Sequence, residues 1–287
     1  MNIKKLKKMY EEYNYEEIYN KQIDNLEGYE ELRLNSNFVY VVKTIKSGEM
    51  VEKEIYSVPK ARDYSRTSKK KKSTKAQEKL NRKNSIKNVI RLVNTNFKEN
   101  DLYVTLTYSK NTLVDKERAK KDIDNYIRKL KRVFKKNKPE KEFKYIHVID
   151  FVDDPNKSKR TRIHHHLIIS EMDRDMVEEK WTLGFANARR LKPNELKFEE
   201  VAAYIAMQSK KRIGTSKNLK KPIITIDRTT LTRRKVERLA IDEYKHKEYF
   251  EEKYKDCIFI SSEKYISDVF GGVYIYVKMR IRENKKE

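Results

Sequence analysis

The order of the secondary-structure patterns between residues 101 and 211 constrains the fold of this chain most. Asp101–Tyr108 (DLYVTLTY) alternates apolar and polar positions, which predicts a strand. Residues 115–136 begin with a capping Asp and carry apolar side chains at spacings of three and four, which predicts a helix. Phe143–Phe151 and Arg162–Ser170 predict an antiparallel hairpin, and Glu199–Lys211 predicts a second helix. This order predicts an α+β fold, in which a central antiparallel sheet has helices packed on one face.

The regions on either side predict accessory segments. Asn37–Ile45 and Val51–Ser57 predict a hairpin, and Ser65–Lys83 is either a basic arm or the exposed start of a helix. Near the other end, Cys257–Ser261 and Val273–Ile281 are rich in β-forming residues. We therefore predict an N-terminal accessory region over residues 1–93, a central domain over 94–225 and a C-terminal accessory α+β region over 226–287.

The charge of the chain points to a polyanionic partner. It has 68 Lys and Arg against 44 Asp and Glu, a formal net charge of +24, so nucleic acid is the leading candidate partner. The one cysteine, Cys257, excludes an intramolecular disulfide and a multi-cysteine zinc site, and it fits a reducing cytoplasm. No apolar run approaches the roughly 20 residues of a spanning helix, so we expect no membrane association. Charge alone does not separate an enzyme from a protein that only binds.

A histidine run is the first candidate for chemistry. His164 and His166 stand at i and i+2 on a predicted strand, so both side chains leave the same face and have the spacing of metal ligands. His165 points to the opposite face, where it is a candidate core residue. Asp150, on the neighbouring predicted strand, is the best placed carboxylate to complete a facial metal site, and His147 is a weaker candidate because it lies on the other side of that strand. A packed, non-functional strand explains the two spaced histidines alone equally well.

The second candidate is Tyr204 on the predicted helix Glu199–Lys211. The phenol shares a helical face with Met207, Gln208 and Lys211. The chain has 19 tyrosines, and most helical tyrosines are half-buried packing residues, so Tyr204 by itself is weak evidence for a reaction.

The combined pattern resembles the HUH endonucleases. It runs from TLTY (Thr105–Tyr108) through Asp150, the HHH run and W-x-x-G (Trp181–Gly184) to a tyrosine-bearing helix followed by lysines. Within that superfamily it is most similar to rolling-circle replication initiators of plasmids, integrative elements and single-stranded DNA phages. The resemblance covers about Asn94–Thr225, including NxNF at Asn94–Phe97.

Several positions depart from the usual family pattern. The centre of the histidine motif is usually apolar and is His165 here, and the third ligand, commonly Glu, is Asp150. Phage members often carry two tyrosines four residues apart, but the second position is Gln208, which implies a single-tyrosine mechanism. The lysine often found three residues after the tyrosine is Met207, which leaves Lys211 or Lys210 as the basic helper.

The resemblance implies a nuclease that nicks and religates single-stranded DNA at an origin. Tyr204 would attack the scissile phosphate and form a 5′-phosphotyrosyl link, assisted by Lys211. His164, His166 and Asp150 would hold the metal ion, and a mixed histidine and carboxylate site facing a phosphate favours Mg²⁺ or Mn²⁺. No P-loop motif occurs among the six glycines, so we expect a host helicase and a host polymerase as partners.

Basic and aromatic residues supply candidate DNA contacts. Tyr108, near a strand end, is placed to stack on an unpaired base. The strip Lys120–Lys136 is either a phosphate track or an ordinary solvated helix face. The candidate phosphate contacts are Lys69, Lys70, Lys71, Lys72, Arg189 and Arg190.

Three other functions stay open at this point. A transposase or a conjugative relaxase would use the same metal and tyrosine, although relaxases usually place the tyrosine near the N-terminus. His164 and His166 also fit a hydrolytic zinc site without a covalent step. A plain DNA-binding module would need neither the ion nor Tyr204.

Overall fold

The computed structural model divides the chain into two compact units. One unit is built from residues within Met1–Asn84 and Pro222–Glu287, and the other from residues within Ser85–Lys221. The structure describes residues 21–22, 37–60, 75–110, 112, 114–150, 163–208, 213–242, 244–267 and 271–282. Among these, no helix is both long and apolar enough to cross a membrane.

The first unit is a six-stranded antiparallel sheet with two helices on one face. Its elements are β1 (Lys21–Gln22), β2 (Phe38–Ser47), β3 (Met50–Pro59), β9 (Ile223–Asp227), α5 (Arg233–Ile241), α6 (Tyr244–Lys253), β10 (Cys257–Ile266) and β11 (Val273–Ile281). The strand order is β1-β10-β11-β3-β2-β9. Val236, Leu239 and Phe250 of the helices pack into its core with strand residues such as Ile55 and Ile275.

Strands from both ends of the chain therefore share one sheet. Our sequence prediction treated residues 1–93 and 226–287 as separate accessory regions, whereas β11 pairs with β3, and β9 pairs with β2. Pairing between distant segments leaves no local pattern in a sequence, because each strand shows only its own alternation. The predicted domain boundaries stay a prediction.

The second unit is a five-stranded antiparallel sheet with helices. Its elements are β4 (Leu102–Tyr108), α2 (Lys116–Asn137), β5 (Tyr145–Asp150), β6 (His164–Ile169), α3 (Arg174–Glu179), β7 (Gly184–Arg190), α4 (Glu199–Gln208) and β8 (Gly214–Thr215). The strand order is β7-β4-β6-β5-β8. The helix α1 (Lys75–Asn96) runs across the division between the units.

The predicted α+β class is confirmed, and the helix α2 forms as its sequence indicates. The Asp115 side chain accepts a hydrogen bond from the backbone N–H of Arg118 at 2.7 Å, which satisfies a donor at the helix N-terminus. The apolar stripe of α2 is buried, and it includes Ala119, Ile123, Ile127, Leu130 and Phe134.

Helices cover both faces of the five-stranded sheet, so the expectation of helices on one face is wrong. On one face, α2 packs on β4 and β6 through residues such as Ile123, Leu106 and Leu167. On the other face, α1 and α4 pack on β5 and β6 through residues such as Val93 and Ile205. The strand β5 has apolar residues in both phases of its alternation, and such a strand needs cover on both sides.

Candidate active site

The two spaced histidines lie on the central strand of the five-stranded sheet. Strand β6 runs between β4 and β5, so each histidine has a directly opposed residue on both sides. His164 lies opposite Thr107 and Asp150, and His166 lies opposite Thr105 and Val148. Directly opposed residues of antiparallel strands share a face, so we call this the histidine face. The strand alternation thus gathers His164, Asp150 and the two threonines on one surface.

Hydroxyl groups on β4 hold the two imidazole rings. The Tyr103 hydroxyl lies 2.9 Å from Nδ1 of His166, and the two rings are parallel. The Thr107 hydroxyl lies 3.1 Å from Nδ1 of His164. Within the described chain, Nε2 of each ring has no hydrogen bond, so it is the nitrogen left for a ligand.

The surroundings of His166 favour its neutral form. Burial lowers the pKa of His166, Asp150 opposes that shift, and the neighbouring His164 adds to it. A neutral imidazole has a lone pair, which is the form that binds a metal ion or accepts a proton.

His165 occupies the opposite face, as predicted. The side chain is fully buried, and its Nε2 lies 3.1 Å from the Tyr108 hydroxyl. Burial, together with the neighbouring His147, His166 and His164, lowers the pKa of His165 to about 3. His165 is therefore a neutral core residue.

Tyr108 is also a core residue, and the predicted base-stacking role does not fit its position. The side chain is buried, its ring lies edge-on to Trp181 at 5.3 Å, and its hydroxyl donates to Asp122 at 3.3 Å. The alternation that buries Leu106 places Tyr108 on the same face, so the ring is closed to DNA.

Tyr204 reaches the histidine face from α4. The helix is anchored by buried Ala202, Ile205 and Ala206, which turn Tyr204 away from the core and leave 45% of it exposed. The Tyr204 ring lies edge-on to His166, with ring centroids 5.4 Å apart. The structure therefore brings together the tyrosine and the histidines that the sequence analysis singled out.

The third predicted metal ligand is less well placed. Asp150 shares the histidine face and acts electrostatically on His166. Among the described residues, however, no three His, Cys, Asp or Glu side chains are grouped closely enough to hold a metal ion. The two imidazoles fit an ion through their unused nitrogens, and the carboxylate is not gathered with them.

The predicted DNA contacts have different outcomes. Arg189 lies opposite Tyr103 and shares the histidine face, whereas Arg190 follows it on the other face and bonds to the Asn100 carbonyl at 2.7 Å. The remaining predicted contacts and basic helpers lie outside the described residues, and they are Lys69, Lys70, Lys71, Lys72, Lys210 and Lys211.

Phe185 was missed by the sequence analysis. It lies opposite Thr107 on the histidine face, and 67% of the side chain is exposed. Gly184 before it is tightly enclosed, because a Cβ there would lie 2.2 Å from the Thr107 carbonyl oxygen. In GFANARR, Phe185 is in phase with Asn187 and Arg189, and this shared polar phase was the available signal that the ring faces solvent.

Comparison with known proteins gives one match. Residues 101–213 match a family model of replication-associated proteins, the ORF2 type. The matched stretch contains β4, β6, both spaced histidines and Tyr204. No curated protein and no solved structure matches the chain.

Proposed function

We propose that the chain is a rolling-circle replication initiator. In this proposal it cuts and rejoins single-stranded DNA at an origin, with Tyr204 as the nucleophile. The observation that carries the proposal is the contact between Tyr204 and His166 beside His164, on one accessible face of the sheet. The similarity of residues 101–213 to a replication-associated family supports replication over other DNA reactions.

The side chains of this face support an attack on a phosphodiester. The Tyr204 oxygen attacks phosphorus, the bond from phosphorus to the 3′ oxygen breaks, and the DNA 5′ end becomes joined to the tyrosine. The phenol loses its proton and the departing 3′ oxygen gains one, so the products are a phosphotyrosine and a free 3′-OH. The reverse attack by that 3′-OH reseals the strand.

The phenol needs help to react near neutral pH. An ordinary phenol has a pKa of about 10, so forming the phenolate at pH 7.5 costs roughly 3.4 kcal/mol. His166, kept neutral by burial and 5.4 Å away by ring centroids, is the nearest titratable ring to Tyr204 on this face. Lys210 and Lys211 remain candidates for countering negative charge.

A divalent ion belongs to the same proposal. His164, His166 and Asp150 would hold Mg²⁺ or Mn²⁺, and the bound ion would polarise the scissile phosphate. The hydroxyls of Tyr103 and Thr107 orient the imidazoles for this role, since each occupies the ring nitrogen that the ion does not need. A host helicase and a host polymerase would continue replication from the free 3′-OH.

The test is covalent capture of labelled DNA. The protein is incubated with Mn²⁺ and 5′- or 3′-labelled single-stranded DNA from its own genetic neighbourhood, then separated under denaturing conditions. We expect a protein–DNA band that retains the label 3′ of the cut. Tyr204→Phe should abolish the band, and Tyr145→Phe, on the opposite face of the sheet, should leave it unchanged.

Each result has a distinct meaning. A band that persists in Tyr204→Phe would assign the nucleophile to another tyrosine. Cleavage without any covalent band would indicate metal-dependent hydrolysis instead. Binding with neither cleavage nor a band, with Mg²⁺ and with Mn²⁺, would leave a DNA-binding module and overturn the proposal.

A further inference from the structure

A basic pocket lies on the face of the five-stranded sheet opposite the histidines. It is a cavity of about 320 Å³ between α2 and the turn that leads into β7. Five cationic side chains line it, and the one carboxylate among the lining residues is Asp122. The five are Arg118, Arg128, Lys129, Arg132 and Lys180.

The Asp122 carboxylate is already engaged inside the protein. The residue is buried, and its Oδ1 accepts a hydrogen bond from Arg118 Nε at 3.0 Å. Its Oδ2 accepts a hydrogen bond from the Tyr108 hydroxyl at 3.3 Å. Asp122 thus compensates Arg118 and leaves the other four cations of the pocket without a buried counter-charge.

Lys129 and Arg132 are the cations most available to a ligand. Both are exposed, and neither has a hydrogen bond or an ion pair within the described residues. By contrast, Arg128 donates to the Asn125 side chain at 2.6 Å, and Lys180 lies 3.5 Å from the exposed carboxylate of Glu179. Repulsion within such a cluster is relieved when an anion binds.

The shape of the cluster favours an extended polyanion over a single phosphate. Arg118, Lys129 and Arg132 lie on α2 over fourteen residue steps, which is about 21 Å along a helix. A DNA strand covers that length with about six nucleotides at 3.4 Å each. One phosphate group cannot contact both ends.

The pocket adjoins the histidine face through one backbone segment. Trp181, which lines the pocket, donates from its ring nitrogen to the Thr107 carbonyl at 3.1 Å. The Thr107 side chain lies on the other face, 3.1 Å from His164. The pocket and the histidines therefore lie at the same end of the sheet, and one DNA molecule can pass from one face to the other around that end.

We propose that this pocket binds the sugar-phosphate backbone of the DNA that flanks the strand held at the histidine face. The inference rests on the proposed function for its substrate class. It assigns to the outer surface of α2 a second DNA contact, separate from the reacting side chains.

The experiment compares two double variants of α2. Lys129→Gln/Arg132→Gln removes two pocket charges, and Lys131→Gln/Lys135→Gln removes two exposed charges from the same helix outside the pocket. Binding of labelled oligo(dT)₃₀ is measured by fluorescence anisotropy over a range of salt concentrations, and circular dichroism verifies folding.

We expect the pocket variant to lower the slope of log K against log salt by about 1.4, which corresponds to two phosphate contacts of about 0.7 each. The same slope gives an affinity loss of about 25-fold at 0.1 M salt. The control variant should lose less than a third of that. Equal slopes in the two variants would overturn the proposal.

Two further measurements complete the test. Labelled ATP that loses affinity in the pocket variant, while the oligo(dT)₃₀ slope stays at the wild-type value, would assign the pocket to a free nucleotide and overturn the DNA assignment. Covalent capture is independent of both. A wild type that forms no adduct but shows the slope difference would refute the proposed function and leave the pocket assignment standing.

Discussion

The two sheets of this protein treat buried polar side chains differently. In the six-stranded sheet, charged side chains close on partners within the fold: Lys43 pairs with Glu54 at 2.8 Å, and the Tyr276 hydroxyl donates to Glu52 at 2.7 Å. In the five-stranded sheet, the rings of His164 and His166 use one nitrogen internally, through the hydroxyls of β4, and keep the other.

This difference separates structural from functional polarity. A buried group with all its partners inside the fold contributes to stability and specificity and has no capacity left for a ligand. A ring that is held on one side and free on the other is oriented for binding. Substitutions on the histidine face should therefore change the reaction more than stability, and substitutions in the six-stranded sheet should do the reverse.

The largest expected effect is loss of the reaction in His164→Ala or His166→Ala. Each variant removes one of the two imidazoles that hold the ion in the proposed mechanism, so we expect at least a roughly 100-fold fall in the rate of covalent capture with Mn²⁺. Affinity for DNA in the absence of the ion should stay within about twofold, because it depends on Lys and Arg.

His165→Leu is the matched control for this prediction. It changes the adjacent histidine, whose side chain lies on the opposite face, and it removes a buried Nδ1 that has no hydrogen-bond partner in the structure. The capture rate should stay near the wild-type value. A variant at 164 or 166 that captures DNA as fast as His165→Leu would show that the histidine face is not the reacting site.

A smaller effect is expected from Tyr103→Phe. The change removes the hydroxyl that holds Nδ1 of His166 and keeps the ring that lies parallel to it. Loss of such a supporting hydrogen bond typically costs roughly 10- to 100-fold in metal affinity or activity, so the Mn²⁺ concentration needed for half-maximal capture should rise by about that factor. Unchanged Mn²⁺ dependence would mean that Tyr103 is only a packing residue.

Phe185→Ala should weaken binding of single-stranded DNA by about fivefold. Stacking of a base on an aromatic ring contributes about 1 kcal/mol at the low end of its range, and the ring is open to solvent beside Thr107. Because the side chain is 67% exposed, the melting temperature should stay constant. Phe185→Tyr keeps the stacking surface and should bind as the wild type does. Equal affinities of the Ala and Tyr variants would exclude stacking.

Much of the histidine face follows from local sequence patterns. The period of two along β6 places His164 and His166 together and His165 opposite, and the spacing of α2 predicts its buried stripe. The alternation of β4 also predicted the burial of Tyr108, in phase with Leu106, but its place near a strand end suggested exposure instead.

Other features depend on pairings that a single segment does not show. The exposure of Phe185 depends on β7 lying at the edge of the sheet, and the cover on both faces depends on where α1 and α4 return. The joining of β3 to β11 brings together segments more than two hundred residues apart. Local periodicity carries no information on such contacts.

Lys53 offers the smallest effect and the sharpest contrast with the histidines. It is buried in β3, where its ammonium donates to the Thr44 hydroxyl at 2.9 Å and lies 3.7 Å from the centre of the Tyr254 ring. Burial lowers the pKa of Lys53 to about 8, with Cys257 opposing the shift. The charged form is therefore disfavoured in the folded protein.

Lys53→Met should raise stability by about 1 kcal/mol near pH 7, the low end of the gain when an apolar side chain replaces a buried charge. The unfolded chain keeps the Lys53 proton up to a pKa near 10.5, and the folded chain loses it near 8. Between these values the unfolded state binds more protons, so wild-type stability rises with pH relative to the variant. The advantage of Lys53→Met should thus be constant below about pH 8 and vanish towards pH 10.5. Urea unfolding across this range measures it, with the exposed Lys46→Met correcting for lost charge. An advantage that does not change with pH would mean that packing alone, and not the charge of Lys53, sets the difference.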